Sequence, residues 1–100
     1  MELRSFQIDV PGKGTVDVEF NLHFNDSVGS VREIKVHSDF DSGLPHRPQL
    51  MLHDNAWQLY AQLPIMKNDE VVITDQYYND PISNEIVQRL LEFKEEAKVR

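Results

Sequence analysis

The chain has 100 residues, of which 40% are hydrophobic and 27% charged, with 17 acidic residues against 10 basic ones and no cysteine. This composition predicts one folded domain over residues 1–100, because it supplies enough apolar side chains for a single modest core. It excludes a disulfide framework and a thiolate nucleophile, and the net charge of −7 makes direct binding to nucleic acid unfavourable.

The distribution of apolar residues bears on where the protein works. No apolar stretch approaches the roughly 20 residues that a membrane-spanning helix needs. The first residues also lack the basic start and the apolar run of a signal peptide. We therefore expect a cytoplasmic protein without membrane contacts.

The first part of the chain alternates apolar and polar side chains with a period of two. This alternation runs through residues 3–10 and, without interruption, through residues 15–24. A period of two indicates a strand with one buried and one solvated face. The intervening Pro-Gly-Lys-Gly segment, residues 11–14, predicts a turn that joins the two strands into an antiparallel hairpin.

A third strand is predicted after a second turn. Residues 25–29 carry turn-forming side chains, and residues 30–38 then return to alternation with Ile34 directed inward. The register that needs the shorter connection sets Glu19 of the second strand opposite Lys35, so that opposite charges face each other.

The middle of the chain predicts a loop and then three more strands. The loop spans residues 39–48, where two prolines and a glycine exclude a regular element. Residues 50–53 and 56–63 form a second hairpin that Pro64 ends, and residues 70–74 form a sixth strand.

The last part of the chain changes from a strand period to a helix period. Asp80 is a predicted N-cap, and Pro81 follows in the first helical position. Apolar residues then recur at spacings of three and four, which indicates an amphipathic helix: Ile82, Ile86, Leu90 and Phe93. The sequence thus predicts an α+β fold, in which about six short antiparallel strands form a curved sheet or half-barrel with one C-terminal helix packed on it.

An acidic surface is the first candidate binding site. The hairpin register that matches the apolar faces sets Val10 opposite Val16, and it also sets Asp9 opposite Asp17, with Glu19 on the same solvated face. Like charges opposite one another cost about 0.2–1 kcal/mol, so stability alone would not select them. We interpret these carboxylates as a surface that binds a basic protein partner.

Tyrosines are the second candidate. Tyr77 and Tyr78 follow the sixth strand, and Tyr60 is expected on the side of its strand opposite Trp57. Tyrosine is favoured at interfaces because it buries a large area while keeping a polar tip. We therefore take these three tyrosines as anchors for a partner protein.

An enzyme is the alternative, with its site in the region 37–54. His37, Asp41, His46 and His53 would be its chemical groups, since histidine with carboxylate can perform acid–base chemistry or bind a metal. Their spacing matches no metal or nucleophile motif, so we predict no metal, no catalytic residue and no cofactor.

The sequence favours a non-enzymatic, acidic protein-binding module, in its most concrete form an inhibitor or antitoxin-like protein that masks a basic partner surface. A small-ligand- or metal-dependent enzyme is the alternative. A self-assembling subunit or homodimer that pairs through sheet edges is a further alternative.

Overall fold

The computed structural model describes residues 2–25 and 28–98, so that part of the predicted turn at 25–29 lies outside the described residues. Within the described ranges, six strands precede one helix: β1 (Glu2–Val10), β2 (Gly14–Asn25), β3 (Val28–Ser38), β4 (Gln49–His53), β5 (Ala56–Lys67), β6 (Glu70–Tyr78) and α1 (Pro81–Lys98). Neighbouring strands pair antiparallel in chain order to give sheet 1 (β1–β2–β3) and sheet 2 (β4–β5–β6). The predicted α+β fold is confirmed, and the two sheets do not close into a barrel.

The core lies where α1 covers the inner faces of both sheets. Val16, Val18, Phe20 and Leu22, at inward positions predicted from the alternation of β2, are buried, and the apolar stripe of the helix packs against them. Sheet 2 contributes Leu59 to the same cluster, so one helix joins two sheets that are hydrogen-bonded separately. The fully buried apolar side chains are Val16, Val18, Phe20, Leu22, Leu59, Ile86 and Leu90.

Aromatic rings position the helix on sheet 1. The Phe93 ring of α1 lies 5.1 Å from the Phe20 ring and 6.1 Å from the Phe6 ring, measured between ring centroids. At the far end of the contact with sheet 2, the Lys94 ammonium lies 4.2 Å from the centre of the Trp57 ring. Such ring–ring and cation–π contacts add geometric specificity to the burial of apolar area.

The N-terminus of α1 is capped as the sequence predicts. The Asp80 carboxylate accepts hydrogen bonds from the Ser83 backbone N–H (2.9 Å) and from the buried Ser83 hydroxyl (2.7 Å). The Asn84 N–H donates to the Asp80 carbonyl at 2.9 Å and so makes the first helical bond. No helix among the described residues is long and apolar enough to cross a membrane.

The predicted register of the first hairpin is wrong by two residues. Val10 lies opposite Gly14 and Ile8 lies opposite Val16. The Lys13 N–H donates to the Val10 carbonyl at 3.0 Å across a turn in which Gly12 has a φ of 77°, as the third residue of a type II turn requires. This tight turn shortens the loop, and a shift of two residues leaves the apolar faces matched, so hydrophobic alternation alone does not separate the two registers.

The pairing of β2 with β3 follows the predicted register until a β-bulge interrupts it. Glu19 faces Lys35 as predicted, whereas Asn21 faces Arg32, because the register shifts between Glu19 and Asn21. Glu33 lies on β3 in this shifted stretch and has a φ of 55°, a left-handed conformation uncommon for a residue with a side chain. A bulge of this kind bends its strand and redirects the neighbouring side chains.

The second and third strands of sheet 2 are longer than the sequence pattern indicates. β5 continues through Pro64 to Lys67 rather than ending at Pro64, and β6 extends to Tyr78. A two-residue turn joins them, with positive φ at both of its residues, 51° and 63°. Two such residues define the type I′ turn that suits a twisted hairpin.

Candidate protein-binding surfaces

The predicted acidic residues lie together on the solvated face of sheet 1, although they are not arranged as expected. Asp9 faces Thr15, so the predicted opposition of Asp9 to Asp17 is wrong because the hairpin register is shifted. Asp17 faces Gln7 instead, and the Gln7 amide donates a hydrogen bond of 2.6 Å to its carboxylate. Glu19 lies on the same face, opposite Ser5. The cross-strand repulsion on which that hypothesis rested is therefore absent.

Basic side chains of β3 adjoin these carboxylates on the same face. His37 lies opposite Asp17, and Lys35 lies opposite Glu19. These residues and Gln7 line an open depression of about 630 Å³ over sheet 1. The surface is therefore of mixed charge at its β3 side and acidic only toward Asp9.

The three predicted tyrosines are divided between the two faces of sheet 2. Tyr60 and Tyr77 occupy the face away from the helix, with ring centroids 5.1 Å apart, and the His53 ring stacks on Tyr77 at 3.8 Å. The Tyr60 hydroxyl donates to the Asp75 carboxylate at 2.6 Å. This hydrogen bond, the burial of Tyr60, which is only 9% exposed, and the negative charge of Asp75 raise the pKa of Tyr60 above its ordinary value.

Tyr78 points to the other side of sheet 2. It lies opposite Leu59 and packs against the core, and burial raises the pKa of its hydroxyl. Trp57 lies on this helix-facing side as well, so the expectation that Tyr60 and Trp57 occupy opposite sides of β5 agrees with the structure.

The three histidines of the region 37–54 are divided between two separate contacts, one between two histidines and one between a histidine and an aspartate. The His37 and His46 rings lie 4.5 Å apart, and His46 is held to β3 by its backbone and its ring, both of which contact the Val36 backbone. The other pair is His53 and Asp54, 3.3 Å apart. Asp41 is exposed in the loop. No three histidine or carboxylate side chains among the described residues are grouped so as to hold a metal ion.

The end of the β5–β6 hairpin, residues 63–74, carries exposed apolar side chains on both faces and is called the hairpin end below. Pairs of opposite residues share a face, so Met66 and Val71 lie on one side and Ile65 and Val72 on the other. Met66, Val71, Ile73 and Ile65 are 68%, 66%, 58% and 45% exposed. A sheet with a core normally hides one face, and the hairpin end hides neither completely.

One edge of the hairpin end is open to a further strand. Lys67 and Glu70 flank a two-residue turn and so form a hydrogen-bonded pair, and every second pair after them does likewise. The backbone groups of Val71 and Ile73 therefore point away from β5, and no described strand pairs there. The other edge is weaker, because Pro64 lacks an N–H at an outward-pointing position.

A cleft of about 610 Å³ separates the two sheets where β3 and β4 adjoin, and it is called the cleft below. Residues 31–35 of β3 form one wall, and residues 47–50 form the other. Three basic side chains line it, Arg32, Lys35 and Arg47, against the single carboxylate of Glu33, which accepts a 2.6 Å hydrogen bond from Asn21. None of the three forms an ion pair with a described residue.

Neither the hairpin end nor the cleft is among the predicted sites, although the sequence carries a signal for the hairpin end. Apolar residues at 71, 72 and 73 occupy consecutive positions, which indicates a strand apolar on both faces rather than one that alternates. The cleft left no such signal, because Arg47 lies far along the chain from Arg32 and Lys35.

Comparison of the chain with models of known protein families, with curated proteins and with solved structures gave no significant match.

Proposed function

We propose that this chain is a non-enzymatic protein-binding module that attaches to a basic partner protein through its hairpin end. The observation that carries the proposal is the exposure of large apolar side chains on both faces of that two-stranded ribbon. A contiguous exposed apolar patch is a mark of an interaction site, since leaving it in water forfeits the free energy of burial.

The charges around the hairpin end support a basic partner. Asp69, Glu70 and Asp75 border the apolar side chains, and Lys67 is the one basic residue of this stretch. An apolar centre with a charged rim is the usual arrangement of a protein interface, and the sign of the rim selects the partner and speeds association. An inhibitor or antitoxin-like protein that masks a basic surface is the concrete form of this proposal.

Tyr77 extends this surface toward the body of sheet 2, whereas Tyr60 beside it is buried and adds little accessible area. Alternate residues of a strand share a face, so Tyr60 lies on the same side as Met66, and Tyr77 on the same side as Val71. The rigid rings stacked at His53 and Tyr77 offer anchor area at little cost in side-chain entropy. Asp9, Asp17 and Glu19 on sheet 1 remain a second, separate candidate surface in this proposal, with Lys35 and His37 beside the last two.

A binding experiment with paired variants tests the role of the hairpin end. The tagged chain captures a partner from a lysate of its own cells, at low and at high salt, and the captured protein is identified and purified. We expect its affinity to fall at least tenfold for Val71→Lys with Ile73→Lys, because both charges enter the centre of the apolar surface. The affinity should also fall with salt, because the acidic rim is screened.

The control introduces the same side chain, lysine, at an exposed apolar position outside the hairpin end. Leu3→Lys adds a charge at a similarly exposed apolar residue on β1 and should leave the affinity unchanged. Asp9→Lys with Asp17→Lys tests the acidic surface of sheet 1 separately. If the hairpin variant binds as well as the unaltered chain while the sheet 1 variant does not, the partner binds at sheet 1 and the hairpin end is not the site.

A further inference from the structure

We infer that the cleft between β3 and β4 accepts the hairpin end of a second copy of this chain, so that copies associate head to tail. This inference rests on the proposed function, because it uses the same hairpin end and places against it a local basic surface on an otherwise acidic copy of the chain. Both halves of the contact are present in one molecule, and each lacks a partner within the described residues.

The cleft is the exception in the charge distribution of an acidic protein. The chain carries a net charge of −7, yet three of its 10 basic residues line this one space, with Glu33 as the only carboxylate in the lining. Arg32 and Arg47 are exposed and lie on opposite walls. An acidic group entering between them would therefore meet a cation from each side.

The backbone at the cleft is also partly unpaired. Sheet 1 ends at β3 and sheet 2 ends at β4, and among the described residues the only backbone hydrogen bond from the open edge of β3 is that of Val36 to His46. Val36 donates outward, so the backbone groups of its neighbour Lys35 point toward β2. The wall formed by residues 31–35 therefore presents only its alternate N–H and C=O groups, and the bulge at Glu33 bends this edge. Free edges of this kind bind an extended segment by adding it as a strand.

The outer strand of the hairpin end has the chemistry that this edge requires. With the turn residue Asp69 before it and Asp75 just beyond the hairpin end, this strand reads Asp-Glu-Val-Val-Ile-Thr-Asp over residues 69–75, so acidic side chains lie at both ends of an apolar centre. The open edge of β6 has outward backbone groups at Val71 and Ile73 and contains no proline. Strand pairing would satisfy both backbones, and the acidic ends would neutralise Arg32 and Arg47.

The contact joins two different surfaces, so it is heterologous. A bound copy still exposes its own cleft or its own hairpin end, and association then continues until a ring closes or a chain of copies grows. A contact between two identical hairpin ends would instead stop at a dimer. This difference makes the two arrangements separable by experiment.

Sedimentation of two complementary variants tests the inference. One variant, Val71→Lys with Ile73→Lys, has an altered hairpin end and an intact cleft. The other, Arg32→Glu with Arg47→Glu, has an altered cleft and an intact hairpin end. All four positions are exposed, and circular dichroism checks that each variant keeps its fold.

We expect the unaltered chain to form assemblies larger than a dimer as its concentration rises at low salt, and both variants to remain monomeric at the same concentrations. An equimolar mixture of the two variants should then form a dimer, because each supplies the half that the other lacks. Failure of the mixture to associate would overturn the inference. So would an unaltered chain that stays monomeric throughout, a result compatible with the proposed function if the hairpin variant still loses its partner from the lysate.

Discussion

Gly14 lies at a position where an added side chain would clash with a neighbouring residue. It begins β2 with a φ of 149°, and a Cβ placed on it would meet the Asp39 carboxylate. That carboxylate accepts a hydrogen bond of 2.8 Å from the Thr15 N–H, and the Asp39 N–H donates to the Thr15 carbonyl at 3.3 Å. Asp39 therefore ties the long loop to the start of β2 through the space that glycine leaves.

We expect Gly14→Ala to lower the free energy of unfolding by about 1–3 kcal/mol beyond the backbone strain, as overpacking does. Urea unfolding followed by circular dichroism measures it. Gly12→Ala is the matched control, because Gly12 also has a positive φ but open space around it, so that it pays only strain of about 1–2 kcal/mol. Equal losses in the two variants would show that Asp39 does not fill the space at Gly14.

Tyr60 gives the stability a dependence on alkaline pH. Its pKa in the folded chain lies above the ordinary value of 10.0, chiefly because its hydroxyl donates to Asp75. The folded chain therefore keeps a proton that the unfolded chain loses above about pH 10, so this stabilisation is complete below that pH. It is lost as pH rises through the raised pKa, and burial of Tyr78 acts in the same direction.

Tyr60→Phe should make the chain less stable at neutral pH and make the alkaline decline in unfolding free energy shallower, with the share of Tyr78 remaining. Urea unfolding at a series of pH values up to about 11 measures both effects. Tyr77→Phe keeps the Tyr60–Asp75 hydrogen bond and the Tyr78 hydroxyl, so it should change the slope less than Tyr60→Phe does. A Tyr60→Phe variant with an unchanged slope would mean that the bond to Asp75 does not persist in solution.

At the scale of one element, the helix depends on a single residue before its first turn. Asp80→Ala removes the acceptor of the Ser83 N–H, which costs about 1 kcal/mol, and leaves the buried Ser83 hydroxyl without its partner, which costs about 1–3 kcal/mol more. Thermal or urea unfolding should register the sum. Asp80→Asn keeps an acceptor for the N–H and should lose less; equal losses would contradict the role of the cap.

The strands show how far the sequence pattern reaches. β2 and the helix were predictable because their apolar residues repeat at one period and are buried on one face. β5 was predicted too short, since Pro64 reads as the end of a strand. The proline is tolerated because its nitrogen points to an open edge, where no ladder hydrogen bond is lost. The sequence does not show this, because it does not reveal which strands are neighbours.

The candidate surfaces were less predictable than the fold, for a reason that lies in the whole molecule. The assignment of Asp9 and Asp17 to one solvated face needed only the period of two, whereas their opposition needed the register, which the turn at Gly12 set differently. Val36 of β3 is hydrogen-bonded to His46, and the cleft opens next to this bond, between residues 31–35 and 47–50. Basic side chains from distant parts of the chain therefore line one space. Such a site arises from tertiary packing, which local patterns do not encode.

The contact between Lys94 and Trp57 allows the packing of sheet 2 against the helix to be followed by fluorescence. Trp57 is the only tryptophan, and it belongs to sheet 2 while the ammonium above it belongs to the helix that also covers sheet 1. Indole emission responds to a nearby charge and to water, so its intensity and wavelength change when the packing of sheet 2 against the helix changes. Intrinsic fluorescence thus observes the junction between the two halves of the molecule without an attached dye.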